Sequence, residues 1–205
     1  MGAVETGERR GRPVEPDPLR IKDARQRILE TAYKLFSRHG IHAVGIDRII
    51  AEADVAKATL YHHFGSKEAL VVAFLDLRNE RWTYGWLKGE AERRAIDPYG
   101  RVLAFFDAFD DWFHDPAFEG CSFIGTLLEI NDPASAVHNQ AVRYLASIRE
   151  MVQEFLEDGG MLAAESVSYQ LQILMMGAIV SASRGDIDAA QRIRPLAASL
   201  LAGAP

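Results

Sequence analysis

The sequence predicts an all-α protein of about nine helices, in which a small three-helix unit precedes a larger helical domain. Beyond Ile21, apolar residues recur at intervals of three and four, the spacing that gives a helix one buried face. Glycines and Asp-Pro pairs interrupt this pattern where one helix ends and the next begins. No segment shows the strict alternation of apolar and polar residues expected of a half-buried strand.

Residues 1–20 are predicted to form a flexible N-terminal arm, because they contain too few large apolar side chains to offset the entropy of ordering them. Within them, Arg10, Gly11, Arg12 and Pro13 match the core of a minor-groove-binding AT-hook. Neighbouring glutamates dilute the positive charge, so a solvated tail is the favoured interpretation and a DNA-contacting arm the alternative. Residues 21–66 form the predicted three-helix unit, and residues 67–205 the larger domain.

The three-helix unit is predicted from residues 24–39, 46–53 and 56–64. Asp23 is placed to cap the first helix, and Gly40 suits the backbone turn after its end. A tight turn around Asp54 joins the other two helices. The predicted inward positions are Ile28, Ala32, Leu35, Phe36, Ile46, Ile49, Ile50, Ala53, Val55, Leu60 and Phe64.

The fourth helix, predicted over residues 67–94 after the cap Ser66, is long enough to bridge two domains. The remaining helices are predicted over residues 98–114, 122–130, 133–158, 163–184 and 186–201. Two of these begin with an Asp-Pro pair, which combines a cap with proline at the first helical position. Pro195 lies inside the last helix, so a kink or a break is expected there.

The formal net charge of -6 is unevenly distributed. The first 67 residues contain 12 Lys and Arg against 9 Asp and Glu, whereas the rest contains 11 against 20. A basic end of this kind indicates a polyanionic partner. Cys121 is the only cysteine, which excludes an intrachain disulfide and a zinc site built from several cysteines.

A cytoplasmic protein with no membrane partner is expected. The longest apolar stretch, residues 171–180, is about half of the ~20 residues that a membrane span requires. Residues 1–20 contain no apolar segment typical of a signal peptide.

The third helix has the pattern of a recognition helix for the DNA major groove, with small or polar residues on one face and apolar residues on the other. Its outward residues can contact base edges, while residues near its end and the start of the fourth helix suit phosphate contacts. The candidate DNA-binding residues are Gly45, Arg48, Lys57, Ala58, Thr59, Tyr61, His62 and Lys67. The alternative is a helical hairpin within the core of a bundle.

This N-terminal third resembles the TetR family of bacterial regulators. The resemblance rests on Arg27, Ile28, Leu29, Ala32, Leu35, Phe36, Gly40, Ile49, Ala53, Val55, Thr59, Leu60, Tyr61, His63, Phe64, Lys67, Glu68 and Leu70. It implies a nine-helix fold, a homodimer, a ligand pocket in each C-terminal domain, and repression that a small molecule relieves. Three positions depart from the family pattern: Asp54 replaces glycine in the turn, and Gly45 and Ala56 replace Ser or Thr caps.

Aromatic residues are dense between positions 82 and 123, as in the walls of an apolar ligand pocket. The candidate ligand-binding residues are Trp82, Trp86, Phe109, Phe113, Cys121 and Met175. The alternative for each of them is ordinary core packing, since Val102, Phe105, Phe106, Phe109 and Phe113 follow the spacing of any core helix.

Residues 171–183 are apolar on almost every side, so one side is expected to face the core and another a second subunit. Gly177, Ala178, Ser181 and Ala182 would permit close approach across a two-fold axis. The alternative is a central helix buried on all sides of a single chain.

Together these features predict a ligand-responsive transcriptional regulator, a repressor that binds a palindromic double-stranded DNA operator as a homodimer and is released by a small apolar or aromatic ligand. No enzyme motif such as HExxH, GxSxG or a P-loop is present, so no catalytic activity, metal or cofactor is expected. A DNA-free ligand carrier or protein-interaction module is the rival interpretation.

Overall fold

The computed structural model describes residues 23–203. Within this range all regular secondary structure is helical, without strands, as predicted. The proposed arm and its AT-hook-like Arg10, Gly11, Arg12 and Pro13 lie outside the described residues. Among residues 23–203, no helix combines the length and hydropathy needed to cross a bilayer.

Nine helices follow one another in the described part of the chain, when three consecutive segments are counted as one helix. They are α1 (Ala24–His39), α2 (Ile46–Ala53), α3 (Lys57–Phe64), α4 (Lys67–Arg78, Asn79–Lys88 and Gly89–Arg94), α5 (Pro98–Phe113), α6 (Ser122–Glu129), α7 (Ala136–Asp158), α8 (Ala164–Ser183) and α9 (Ala189–Gly203). Helices α1 to α3 pack together, α4 packs on α1 and on α7, and α5 to α9 form the larger helical part.

Local capping explains where several helices begin. The Asp23 side chain accepts a hydrogen bond from the Arg25 amide (3.0 Å), and Ser66 Oγ accepts one from the Ala69 amide (3.1 Å). Helix α7 begins three residues later than expected. Asp132 forms a turn by accepting from the Ala134 amide, and Ser135, not Asp132, caps the helix.

The small unit has the predicted core. Ile28, Ala32, Leu35, Phe36, Ile49, Ala53, Leu60 and Phe64 are buried, while Ile46, Ile50 and Val55 are half-buried against them. Helix α4 extends this core with Phe74, whose ring lies 5.5 Å from that of Phe36 and 5.7 Å from that of Tyr33.

Helix α4 is continuous, as the sequence predicts, but its middle segment Asn79–Lys88 is a π-helix. The wider turn carries Trp82 and Trp86, whose ring centroids are 5.0 Å apart. A side chain at Gly85 would approach the Glu80 carbonyl oxygen to 3.2 Å, so glycine suits this position. Helical periodicity alone does not distinguish this geometry from an α-helix.

Two other expectations need correction. Helix α9 is continuous through Pro195, so of the expected kink or break the structure excludes the break, and Ala190, Ala197 and Leu201 along it are buried. On α8, two of the four small residues expected at a subunit seam, Ala178 and Ala182, face the core of the same chain.

The outer face of α8 is not buried within a single chain. Tyr169, Ile173 and Val180 are exposed to 50%, 69% and 43%. Because their spacing places them along one side of the helix, they form an apolar stripe that this chain alone leaves in water. The interpretation of α8 as a helix buried on all sides is therefore wrong.

A buried ion pair joins α1 to the π-helical segment of α4. The Glu30 carboxylate, 5% exposed as a residue, accepts hydrogen bonds from both terminal nitrogens of Arg81, one of them at 2.8 Å. Beside it, the buried Arg78 donates to the Tyr33 hydroxyl (3.1 Å) and lies over the Trp82 ring. These contacts fix the position of the small unit relative to α4.

Replacing Arg81 with methionine would leave the Glu30 carboxylate buried without its counter-ion. We expect Arg81→Met to lower the free energy of unfolding by about 3 kcal/mol, because an uncompensated buried charge is costly. Urea titration measures this change. The double variant Glu30→Met/Arg81→Met removes both charges and should recover most of the loss.

As the control, Glu92→Gln breaks the more exposed pair of Lys88 and Glu92 (4.0 Å) and should change the free energy of unfolding by less than about 0.5 kcal/mol. An equal loss in Arg81→Met and in the double variant would contradict the assignment of the cost to the charge of Glu30.

Candidate nucleic-acid interface and ligand chamber

Helix α3 buries one face and leaves a short polar face in water. Leu60 and Phe64 hold it against α1 and α4. The opposite face carries Lys57, Ala58, Tyr61 and His62, all exposed, with Thr59 half-buried beside them. Five of the eight candidate DNA-binding residues therefore lie together on this short helix.

The turn between α2 and α3 takes the backbone geometry that a helix-turn-helix requires. Asp54 has a left-handed conformation (φ 52°, ψ 57°), and among residues 23–203 it is the only non-glycine residue with positive φ. Asp is tolerated in this region better than most residues. The substitution of Asp for glycine therefore leaves the turn intact.

The two missing caps are also evident. Gly45 and Ala56 occupy the N-cap positions of α2 and α3 with extended backbone, and neither helix has a side-chain hydrogen bond at its cap. The exposed Gly45 has open space where a side chain would stand. The first turns of both helices thus have amide groups without a side-chain partner.

Acidic residues pair with the cations of this surface. The Lys57 ammonium lies 3.3 Å from an Asp47 carboxylate oxygen, and Arg48 Nε donates to Glu52 (2.8 Å). A second Arg48 nitrogen lies 3.3 Å from His39 Nε2. All these side chains are exposed, so solvent screens the pairs and phosphate can replace the carboxylates.

The ammonium group of Lys67, another candidate DNA-binding residue, is hydrogen-bonded within the chain. It donates to the Ile41 carbonyl (2.7 Å), at the turn between α1 and α2. Desolvation lowers the pKa of Lys67, and the nearby Glu129 carboxylate opposes this effect. In this conformation Lys67 links that turn to the start of α4. A contact between Lys67 and a phosphate would require the hydrogen bond to the Ile41 carbonyl to break.

Four of the six candidate ligand-binding residues line one small cavity in the larger domain. Trp82, Phe109, Cys121 and Met175 contribute to its wall, together with Ile124, Leu145, Ile148, Gln172, Met176 and Ile179. The cavity measures about 20 Å³, which accommodates little more than one water molecule. An organic molecule would therefore enter only if side chains moved, and the flexible methionines are suited to this.

Trp86 and Phe113 do not belong to the wall of this cavity. Trp86 packs on Trp82 and Trp112, while Phe113 stacks on Phe109 with ring centroids 6.0 Å apart. Both rings support residues of the wall from behind. Burial raises the pKa of the Cys121 thiol, so this side chain serves as an uncharged part of the wall.

The junction between the two domains contains a carboxylate that the sequence did not reveal. Glu129, at the end of α6, accepts a hydrogen bond from the His42 amide (2.7 Å). A side chain at Gly40, which has a φ of 80°, would collide with this carboxylate. The contact joins residues 87 positions apart, and no local pattern indicates it.

A second cavity lies at this junction, between the end of α1 and one face of α6. It measures about 230 Å³. Its wall consists of Phe36, Ser37, Arg38, His39, Gly40, Ile41, Phe74, Glu119, Cys121, Ser122, Gly125, Thr126 and Glu129. The one sequence signal for this cavity is Gly125, a glycine inside the helix predicted over residues 122–130.

The fold and the α2–α3 pair define a class, that of helix-turn-helix DNA-binding proteins. Residues 28–74 match the family model described as bacterial regulatory proteins of the tetR family. Residues 98–197 match the model of a tetracyclin repressor-like C-terminal domain.

Similar proteins agree with this class. The crystal structure of SCO4454, a TetR-family transcriptional regulator from Streptomyces coelicolor, is 32% identical with a TM-score of 0.78, and the match covers 87% of this chain and 88% of that one. The chain therefore belongs to the TetR family of bacterial transcriptional regulators, which bind DNA and are not enzymes.

Two further relatives bear on the direction of regulation. The transcriptional repressor NemR of Escherichia coli (strain K12) is 25% identical over 142 residues, which are 67% of this chain and 69% of NemR. The transcriptional activator FasR of Mycolicibacterium smegmatis is 34% identical over 110 residues, 53% of this chain and 47% of FasR.

The uncapped start of α3 gives a direct test of the local structure. Ala56 has the extended backbone of an N-cap, so a hydroxyl there can accept from an amide of the first helical turn. We expect Ala56→Ser to raise the free energy of unfolding by about 1 kcal/mol in urea titration. Ala58→Ser introduces the same side chain inside α3 and should give no gain, and equal stabilisation by both variants would refute the explanation.

Proposed function

We propose that this protein represses transcription by binding a palindromic DNA operator as a homodimer, and that a small apolar or aromatic molecule releases it. The observation that carries the DNA-binding part is the polar face of α3. Four exposed residues and Thr59 share that face, while Leu60 and Phe64 anchor the helix from behind.

In this proposal α3 lies in the major groove. Lys57 reaches guanine acceptors or phosphate, and the methyl groups of Ala58 and Thr59 contact thymine. Tyr61 and His62, near the end of the helix, contact phosphates and fix the register. Gly45 and Arg48 approach the backbone from the start of α2. Lys67 acts from behind, since it holds the turn between α1 and α2.

The apolar stripe on α8 supports the homodimer. Tyr169, Ile173 and Val180 would be buried against a second copy, together with the exposed Leu196 on α9. Gly177, which is exposed between Ile173 and Val180, lets two α8 helices approach closely. A dimer is also what a palindrome demands, because its half-sites lie about 34 Å apart.

The small core cavity supports release by a ligand that opens it. Its wall includes Trp82 from the π-helical segment, and the same helix α4 begins at Lys67 beside the helix-turn-helix unit. A ligand that enlarges the cavity must displace Trp82 or its neighbours. Such a ligand changes the angle of α4 and the spacing of the two recognition helices, provided that it binds one arrangement more tightly than the other.

Repression is proposed over activation because the repressor NemR matches a longer part of this chain than the activator FasR. A protein bound to an operator near a promoter blocks RNA polymerase from that promoter. This requires no contact between the regulator and the polymerase. Measuring transcription from the bound promoter, with and without the protein, decides between the two directions.

The DNA-binding proposal is tested with the fragments of the source genome that the purified protein retains. We expect Thr59→Ala/Tyr61→Ala to abolish retention without changing the oligomeric state, because the contacts to bases and phosphates are lost. Tyr84→Ala is the matched control, since Tyr84 is exposed to 49% and Tyr61 to 41%. Undiminished retention by the double variant, or binding that does not depend on salt, would contradict the proposal.

The dimer proposal is tested by placing a charge on the apolar stripe. We expect Ile173→Asp to give a monomer in analytical ultracentrifugation and to weaken operator binding at least about tenfold, because a carboxylate is costly to bury at an interface. Ile96→Asp is the control, since Ile96 is exposed to 93% and lies outside α8 and α9. A dimeric Ile173→Asp protein would rule out this face.

A further inference from the structure

We propose that the 230 Å³ cavity between α1 and α6 is a second ligand site, which takes a small organic cation with an apolar body and thereby adjusts the position of the DNA-binding unit. The binding part of this inference stands apart from the proposed function, and only the effect on DNA rests on it. The site is separate from the core cavity, although Cys121 contributes to the walls of both.

Size and shape favour a small molecule at the junction. The junction cavity is much larger than the core cavity of about 20 Å³. Since about 10–15 Å³ of such space is enough for one water molecule, the junction cavity has room for an organic molecule of roughly eight heavy atoms. One end of its wall is apolar, with Phe36, Ile41 and Phe74, which are all buried.

Gly125 keeps this space open. It lies inside α6, where glycine is unfavourable relative to alanine, yet apart from its chain neighbours and its own helix backbone no atom lies within 4 Å of the place where its side chain would begin. Packing therefore does not require glycine here. Any side chain at this position would project into the cavity, together with those of Ser122, Thr126 and Glu129 on the same helix face.

The charges of the wall favour a cation. Among its charged groups, Glu129 is half-buried, whereas Arg38 and Glu119 are exposed. The last turn of α1 adds the negative end of its helix dipole.

One polar group in the wall has no partner. The Ser37 hydroxyl oxygen is buried and makes no hydrogen bond. A buried hydroxyl without a partner is costly, and a ligand with an N–H donor would satisfy it. The wall thus offers a carboxylate and a hydroxyl to an ammonium group and three apolar side chains to the rest of the molecule.

Occupation of this site bears directly on the helix-turn-helix unit. Glu129 accepts from the His42 amide, in the turn that leads to α2, and Lys67 donates to the Ile41 carbonyl of the same turn. An ammonium group at Glu129 competes with this hydrogen bond. A ligand between α1 and α6 therefore shifts the turn without passing through the core cavity.

Benzylammonium is the probe, because it combines one ammonium group with one aromatic ring in eight heavy atoms. The full-length protein is titrated by calorimetry with benzylammonium, and separately with benzyl alcohol and benzoate as its neutral and anionic counterparts. We expect benzylammonium to bind at least about tenfold more tightly than the alcohol, and benzoate not to bind. Glu129→Gln should reduce the preference for the cation to about twofold or less.

The variant that tests the location is Gly125→Leu, which fills the cavity. We expect it to weaken benzylammonium binding at least about tenfold, and Gly125→Ala to weaken it less. Gly89→Leu is the matched control, since Gly89 is also helical with open space around it and lies outside the cavity. Both leucine variants should keep the wild-type circular dichroism and have a thermal midpoint no lower than that of the wild type, because leucine is a better helix former than glycine. If Gly125→Leu fails to fold, Gly125→Ala and Glu129→Gln provide the test.

Failure of the site and failure of the proposed function are distinguishable, because binding is measured without DNA. Undiminished binding by Gly125→Leu, no detectable binding of benzylammonium, or equal binding of benzoate overturns the site, even if the protein binds its operator as proposed. If the site is correct, saturating benzylammonium changes operator affinity at least about threefold in the wild type but not in Gly125→Leu. A protein that binds benzylammonium through Gly125 but retains no DNA supports the site and overturns the proposed function.

Discussion

The central constraint in this molecule is that α4 supplies buried side chains to both of its halves. Phe74 packs with Phe36 and Tyr33 in the small unit, whereas Trp82 stacks with Phe109 and packs on Trp112 in the larger domain. Because the backbone between them is helical without interruption, neither half can rotate without carrying α4 along. The π-helical segment widens this helix where the two halves meet and leaves it continuous.

The two sides of the domain junction differ in strength. On one side, Arg81 forms a bidentate pair with the buried carboxylate of Glu30. On the other side, the half-buried Glu129 accepts one hydrogen bond, from the His42 amide. The α6 side of the junction is therefore held by weaker polar contacts than the α1–α4 side. The larger cavity lies on this weaker side.

Most of the fold follows from the sequence because local chemistry dictates it. Asp23 and Ser66 begin helices where their caps predict, and the buried positions of α1 to α3 follow the 3.6-residue period. The π-helix and the start of α7 at Ala136, after the cap Ser135, were not predicted, since both depend on competing hydrogen bonds within a few residues.

The site was predicted less completely, for a related reason. The outer face of α3 follows from helical spacing, because exposure of a residue there is a local property. Contacts across 26 or 87 residues, such as those of Lys67 with Ile41 and of Glu129 with His42, depend on how helices meet in three dimensions. Likewise, spacing identified the aromatic wall of the core cavity but could not separate Trp82, which lines it, from Trp86, which supports it.

In the proposed mode of DNA binding, the pairing of Lys57 with Asp47 and of Arg48 with Glu52 affects how the protein searches a genome. Every phosphate that approaches these cations must first displace a carboxylate from the protein's own surface, so the attraction to arbitrary duplex is reduced. At a matching sequence, base contacts compensate for that displacement. In this mode of binding, the carboxylates shorten the residence time on nonspecific DNA and increase the difference in affinity between operator and nonspecific DNA.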